Sequence, residues 1–218
     1  MGQLLTEWLQ NFVESTVPPR DQFLEKLEKQ AERENIPIIS PDVAQFLHFM
    51  IRLKQPTSIL EVGTAIGYST IWMAKAAGPE TMIKTIELNQ DRAYEAWLNF
   101  KEVGIEEQVD NIVGDALDMI SHLDTNFDLI FIDAAKGQYP IFFEDAIDLL
   151  NPGGVIIADN VLLNGWVANN ELIPHRRKNT MVNRMTEYIE RVMNHPKLTS
   201  SIVPIGDGVA LSLKEVRE

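Results

Sequence analysis

Cysteine is absent from this chain of 218 residues, which excludes disulfide bridges and thiolate metal centres. Long apolar runs are missing too. No uncharged stretch approaches the roughly 18 to 20 residues needed to cross a bilayer, so a soluble protein is expected. Positive charge is scarce: 19 Lys and Arg against 32 Asp and Glu give a net charge of −13. That balance favours solubility and disfavours broad binding to polyanions, so any nucleic-acid contact has to be local. The opening "MGQLLTEWLQNFVE" lacks a basic n-region and carries acids, and reads as an amphipathic helix rather than a signal peptide. A cytoplasmic protein is the expectation. Internal repeats, low-complexity tracts and Pro/Gly/Ser linkers are lacking as well, so residues 1–218 are expected to form one α/β domain. Within it, 1–55 read as a helical N-terminal extension and 56–218 as the core.

What is present divides at about Thr57. Before it, apolar residues keep helical spacing in three stretches: Leu4, Leu5, Trp8, Leu9 and Phe12; Phe23, Leu24 and Leu27; Val43, Phe46, Leu47 and Met50. Ser40 before Pro41 predicts a helix N-cap with proline in the first turn. After Thr57, short apolar runs alternate with amphipathic segments near 67–77, 90–103, 116–122 and 138–150. The runs are "SILEVG", "MIKTIE", "VDNIVG", "FDLIFID" and "GVIIADN". This alternation predicts a doubly wound, mostly parallel sheet with helices on both faces, a Rossmann-like α/β fold. Two β-type runs around Gly206-Asp207-Gly208 add an antiparallel C-terminal hairpin.

Ligands of such sheets sit beyond the carboxyl ends of the strands. Each run ends there in glycine or a polar residue: Glu61 with Gly63, Glu87, Gly114 with Asp115, Asp133, and Asp159 with Asn160. In "LEVGTAIGYST", Gly63 and Gly67 let backbone approach a ligand closely, or simply make a tight strand-to-helix turn. The spacing G-x-x-x-G is not the dinucleotide fingerprint G-x-G-x-x-G. Glu87, 24 residues after Gly63, suits a grip on ribose hydroxyls. Asp115, or the amide of Ala116, suits an adenine edge. Each acid is equally readable as a helix cap. Asp133 and the Asp159-Asn160 pair lie 26 residues apart at the ends of successive runs. Adjacent parallel strands would bring two carboxylates and a carboxamide within reach of one hard divalent cation, and caps or turns are the other reading.

Taken together, "EVGTAIGYST", "TIELN", "GDAL", "FIDAAKGQY", "GGVIIADNVLLNGWV" and "PIGDGVAL" resemble, in order and spacing, the class I S-adenosylmethionine-dependent O-methyltransferases of the cation-dependent catechol and caffeoyl-CoA type. The resemblance runs from about residue 36 to 213. It implies a seven-stranded sheet and an S-adenosylmethionine site in which Gly63 and Ser69 meet the methionine part, Glu87 the ribose, and Asp115 with Ala116 the adenine. It further implies that Ile39 covers the cofactor and that Asp133 serves both the cofactor and a metal. Asp133, Asp159 and Asn160 would hold Mg²⁺ or a similar divalent cation. Lys136 corresponds to the family's general base, and to accept a proton it would first have to lose its own. The four histidines fall outside these motifs. A homodimer is also implied, with the apolar N-terminal helices as its surface or as a lid.

The acceptor must offer two neighbouring oxygens, as a catechol does and as 5-hydroxyuridine does with its O4 carbonyl. Alanines in "DAAKGQY" suggest a wide mouth. Residues 175–191 hold five Arg or Lys against two acids. Arg176, Arg177 and Lys178 are a solvated helix start or a phosphate contact. "PHRRKNTMVNRMTEY" and "MNHP" resemble the bacterial tRNA 5-hydroxyuridine methyltransferase branch, which makes 5-methoxyuridine at the anticodon wobble position. The expected substrate is therefore a tRNA anticodon loop, with a small catechol or caffeoyl-type phenol as the alternative.

Overall fold

The computed structural model describes residues 7–134 and 136–216. Helices α1 (Glu7–Ser15), α2 (Gln22–Glu34) and α3 (Pro41–Lys54) precede the sheet. The α2 helix starts where the Asp21 side chain accepts the amides of Phe23 and Leu24, and stops at Asn35 in the left-handed region. Ser40 is the N-cap of α3 with Pro41 behind it, as expected, but its hydroxyl donates to Asp42 Oδ1 rather than capping an amide. The α1 stripe does not join the core. Leu4 and Leu5 lie outside the described residues, while Trp8 and Phe12 are exposed.

The alternating half follows as β1 (Ser58–Val62), α4 (Tyr68–Ala77), β2 (Met82–Glu87), α5 (Gln90–Val103), β3 (Val109–Val113), α6 (Ala116–Ile120), β4 (Phe127–Ile132), α7 (Tyr139–Leu149) and β5 (Leu150–Ala158). After it come α8 (Asn179–Asn194), β6 (Leu198–Val203) and β7 (Val209–Lys214). Seven strands form one sheet in the order β3-β2-β1-β4-β5-β7-β6. The first five are parallel, and β7 runs antiparallel between β5 and β6. This is the expected Rossmann-like sheet with its C-terminal hairpin. The strand order reverses between β1 and β4, which makes their carboxyl ends the crevice of the fold.

The apolar runs lack alternation because both faces are covered. In β4, Leu129 and Phe131 join the core formed with α2, α3 and α4, while Ile130 and Ile132 join that of α7 and α8. Leu24, Leu27, Val43, Leu47 and Ile51 of the N-terminal helices share the first of these cores with Ile59 of β1. Each such buried aliphatic side chain contributes roughly 1.5–3 kcal/mol by leaving water. On the second face Tyr139, Phe143 and Tyr188 meet edge to face at 5.4 and 5.5 Å. They anchor α8 against the helix that begins just after Lys136. No helix among the described residues is long and apolar enough to cross a membrane.

Candidate active site

The parallel ladder runs one residue past its strands, and this aligns the polar ends. The amides of Gly63, Gly114, Asp133 and Asp159 donate to Ile86, Glu87, Val62 and Ile132 carbonyls, each at 2.9 Å. Glu61 departs from the expected pattern. It sits inside β1, paired with Thr85 and Phe131, and is fully buried. A run buried on both faces has no alternation to show which residue is its last.

Beyond these ends opens a cavity of about 510 Å³. All seven residues expected at a cofactor line it: Ile39, Gly63, Ser69, Glu87, Asp115, Ala116 and Asp133. Gly63 has φ +106°, and a Cβ there would lie 2.1 Å from the carbonyl oxygen of Asp133. Only glycine lets the two strand ends approach so closely. The Glu87 carboxylate accepts the amides of Ala65 and Asn89 at 2.9 Å each, which braces the glycine loop. Asp115 accepts the Leu117 amide at 3.0 Å, so it is a helix cap and a wall of the cavity at once. Buried Ile36 and Ile39 close one side. A mostly apolar cleft with a carboxylate at the end of β2 fits a nucleoside, and the carboxylate-bearing residues Asp115 and Asp133 line it as well.

One neighbour escaped the sequence reading, and another was read there without its role. Arg92 lines the cavity from the first turn of α5 and pairs with Glu95 at 2.7 Å. Its place follows from Asn89 capping that helix, a signal that marks the helix and not the direction of the side chain. The other is Glu61, which accepts from the hydroxyls of Ser69, Thr70 and Thr85. Ser69 therefore spends its hydroxyl beneath the cavity wall.

Burial lifts the Glu61 carboxyl to about 7 against those three donors, from 4.5 in the unfolded chain. Between these pH values the unfolded chain holds fewer protons than the folded one. Stability therefore falls as pH rises through that window and levels off above it, with Glu61's share about 3 kcal/mol. Urea titrations at pH 5 and pH 8 should show the loss, and Glu61→Gln should remove that share of it. An unchanged slope in the variant would refute the assignment.

Asp133, Lys136 and Asn160 come together at the mouth. Lys136 Nζ donates to Asp133 Oδ1 at 3.2 Å and to Asn160 Oδ1. Asp159 and Asn160 are not themselves in the cavity lining; they follow the end of the neighbouring strand, and Lys136, which does line it, bonds Asn160 to Asp133. Asp159 is 1% exposed, and its Oδ1 accepts the Asn160 amide at 2.7 Å. Burial, reinforced by the Asp133 charge, lifts its carboxyl to about 7. Burial also raises the nearby Asp207 carboxyl. The Tyr139 hydroxyl lies between the carbonyls of Ile132 and Asp159, at 3.2 and 3.0 Å, and ties the two strand ends together. Among the described residues no three His, Cys, Asp or Glu side chains group to hold a metal. The donors available are two carboxylates and a carboxamide, all hard oxygens; those of Asp133 and Asn160 already meet one positively charged group, Lys136, and Asp159 stands beside them, bonded to the Asn160 amide. That donor set fits a divalent cation of the Mg²⁺ kind.

Arg176, Arg177 and Lys178 form an exposed turn before α8 and do not line the cavity. The helix they lead into packs on the Lys136–Gln138 turn, where Arg184 donates to the Gly137 carbonyl at 2.9 Å. Arg184 follows Lys178 by six positions, about 9 Å of helix. The alanine at 135, one of the two taken to widen the mouth, lies outside the described residues, and Ala134 lines the cavity.

The profile of a family described as O-methyltransferase matches residues 14–215. A catechol O-methyltransferase from Mycobacterium tuberculosis is 32% identical over 210 residues, 93% of each chain. A catechol O-methyltransferase from Niastella koreensis is 40% identical over 133 residues, 59% of this chain and 60% of that relative. Among solved structures, the O-methyltransferase TomG from Streptomyces achromogenes, in complex with SAM, superposes with a TM-score of 0.84 at 30% identity, over 99% of this chain and all of that one.

Proposed function

Because this chain belongs to the O-methyltransferase family, we propose that it transfers the methyl group of S-adenosylmethionine to a hydroxyl that has a second oxygen beside it, with a divalent cation held by Asp133, Asp159 and Asn160. The observation that carries this reading is the convergence of Asp133, Lys136 and Asn160 at the mouth of a cavity walled by Glu87 and Asp115. When bound, S-adenosylmethionine supplies a methyl group on a sulfonium, whose transfer to oxygen leaves a neutral thioether and a proton to be removed. When bound, the cation would polarise both acceptor oxygens and ease loss of that proton. The chain supplies the rest. Glu87 takes the ribose hydroxyls, Gly63 brings backbone against the methionine part, Asp115 and Ala116 border the adenine, and Ile39 keeps water from the cleft. Lys136, which now bonds Asp133 and Asn160, would yield those oxygens to the cation and, once it has lost its own proton, take the hydroxyl proton.

The acceptor we propose is 5-hydroxyuridine at the wobble position of a tRNA, converted to 5-methoxyuridine. Support comes from the exposed cations Arg176, Arg177 and Lys178, about 9 Å of helix from the residue bonded to the catalytic turn. A short basic patch in an acidic protein positions one phosphate backbone locally, while the pocket receives the base. The second reading is a small catechol or phenol, favoured by the relatives named catechol O-methyltransferase. Labelled S-adenosylmethionine and Mg²⁺, offered with either hydroxyuridine-containing tRNA or caffeic acid, separate the two. Replacing Arg176, Arg177 and Lys178 by alanine should cost tRNA methylation roughly tenfold or more and flatten its salt dependence, leaving phenol turnover unchanged. Methylation of caffeic acid with untouched tRNA would install the second reading. A homodimer belongs to the same proposal, supported by exposed Trp8 and Phe12 of α1 and Phe49 and Leu53 of α3.

A further inference from the structure

The loop that carries Asn160 turns through backbone that L-residues avoid. Asn160, Leu163 and Asn164 stand at φ 56°, 47° and 54°. Leu163 is also buried, so a bulky side chain is held in the left-handed region with no room to relax. Such conformations persist only where the surroundings over-determine them.

What surrounds this loop is the turn between β6 and β7. Val161 N donates to the Gly208 carbonyl at 2.9 Å and Leu162 N to the Asp207 carbonyl at 3.0 Å. Asn164 N donates to Asp207 Oδ1 at 2.5 Å. A Cβ on Gly208 would fall 2.4 Å from Leu162 Cγ, and one on Gly206 would fall 2.5 Å from Val43 Cγ2. The turn is therefore wedged between the loop and α3. Main-chain bonds to the turn secure Val161 and Leu162. Two residues further on, the link is a side chain, Asp207.

We propose that Asp207 is a positioning residue: by accepting the Asn164 amide it holds the left-handed loop closed, and so aims the oxygens of Asp159 and Asn160 at the cation position. This rests on the cation site proposed above and extends it, since it assigns the geometry of that site to a residue of the C-terminal hairpin. Asp207 need not touch the ion. An acceptor that orients a ligand-bearing segment acts through the ligands, and losing such a partner typically costs about 10- to 100-fold in metal affinity.

The test uses the full chain and Mn²⁺ alone, followed by the electron paramagnetic resonance of the free ion, beside S-adenosylmethionine affinity and thermal melting. Asp207→Ala should weaken Mn²⁺ binding about tenfold or more, while the cofactor cavity, which Asp207 does not line, keeps its affinity within about twofold. Asp207→Asn retains an acceptor oxygen and should bind Mn²⁺ within about threefold of the parent. Adding Asn164→Gly to Asp207→Ala should recover part of the loss, because glycine adopts that φ freely. Should Asp207→Ala not melt cooperatively, the double variant decides: Mn²⁺ binding by it supports the proposal, and none overturns it. Unchanged Mn²⁺ affinity in Asp207→Ala overturns the positioning role and leaves the cation site standing. An equal loss in Asp207→Asn also overturns it, since charge rather than the hydrogen bond would then be at work. A parent chain that binds no Mn²⁺ removes the cation site and this inference together.

Discussion

Asp159→Asn should lose methyl transfer by about two to three orders of magnitude while binding S-adenosylmethionine within about twofold of the parent. The separation follows from where Asp159 stands. It is absent from the cavity lining, where the cofactor is proposed to sit, yet it is one of the three oxygen donors proposed for the cation. Asparagine has the same shape and still accepts the Asn160 amide, so the loop keeps its cap. What disappears is a negative charge. That charge is held at a cost: burial and the Asp133 carboxylate lift the Asp159 carboxyl from 3.8 to about 7. Above about pH 7 the folded parent carries an ionised, buried carboxylate that the unfolded chain would carry freely in water. Without added metal, the variant should therefore be more stable than the parent at pH 8, by on the order of a few kcal/mol. The gap should close toward pH 4, where the carboxyl is protonated in the folded chain. A variant that is inactive and more stable is the signature of a residue kept for function. Turnover measured across Mg²⁺ concentrations, with urea titrations of the metal-free chains, checks both halves. Full turnover by Asp159→Asn without added metal would sink the cation mechanism.

Gly63→Ala should be the most disruptive of the conservative changes. The new methyl would meet the Asp133 carbonyl oxygen at 2.1 Å and its carbon at 2.9 Å, from a backbone at φ +106°. Both obstacles are main chain, and neither strand end is free to retreat. The Gly63 amide is bonded to Ile86, and the Asp133 amide to Val62. Strain at this φ and overpacking against backbone together are expected to cost roughly 3–5 kcal/mol. Whatever remains folded must part β1 from β4, so S-adenosylmethionine binding should fall with stability. Gly104→Ala provides the contrast. Its φ is +75°, but nothing lies within 4 Å of the added Cβ, so only the helix C-cap penalty of about 1 kcal/mol applies. Urea midpoints and cofactor titrations of the two variants give the comparison. If Gly63→Ala melts no lower than Gly104→Ala, close approach is not the reason for glycine there.

Much of the architecture was legible because its signals are local. The helix over Gln90–Val103 begins and ends where the sequence predicts because Asn89 caps one end and Gly104 takes the left-handed position at the other. Gly206-Asp207-Gly208 announced a hairpin through turn chemistry, and the hairpin is there. Where the signal was not local, the reading slipped. Glu61 reads as a strand end but lies one residue before it, buried under the cavity, because a run covered on both faces carries no period to count. Trp8 and Phe12, read as core or partner surface, are exposed in the single chain, because spacing marks a face and not what covers it. The carboxyl-edge residues were readable as helix caps or as ligand groups, and Asp115 is both a cap and part of the cavity wall. Those two readings were never exclusive.

By itself, then, the sequence determined the order and type of the elements and the chemical character of each strand end: glycine at β1, acids at β2, β4 and β5. Periodicity, capping and turn residues act over a few positions, so a string of residues suffices to specify them. Only the tertiary structure decided that Asp133, Lys136 and Asn160 share one point, that Glu61 lies beneath the cavity, and that Asp207 clamps the loop from 160 to 164. These are distances between residues far apart in the chain. They are set by parallel register, by the glycine approach of β1 to β4, and by the hairpin wedged between that loop and α3.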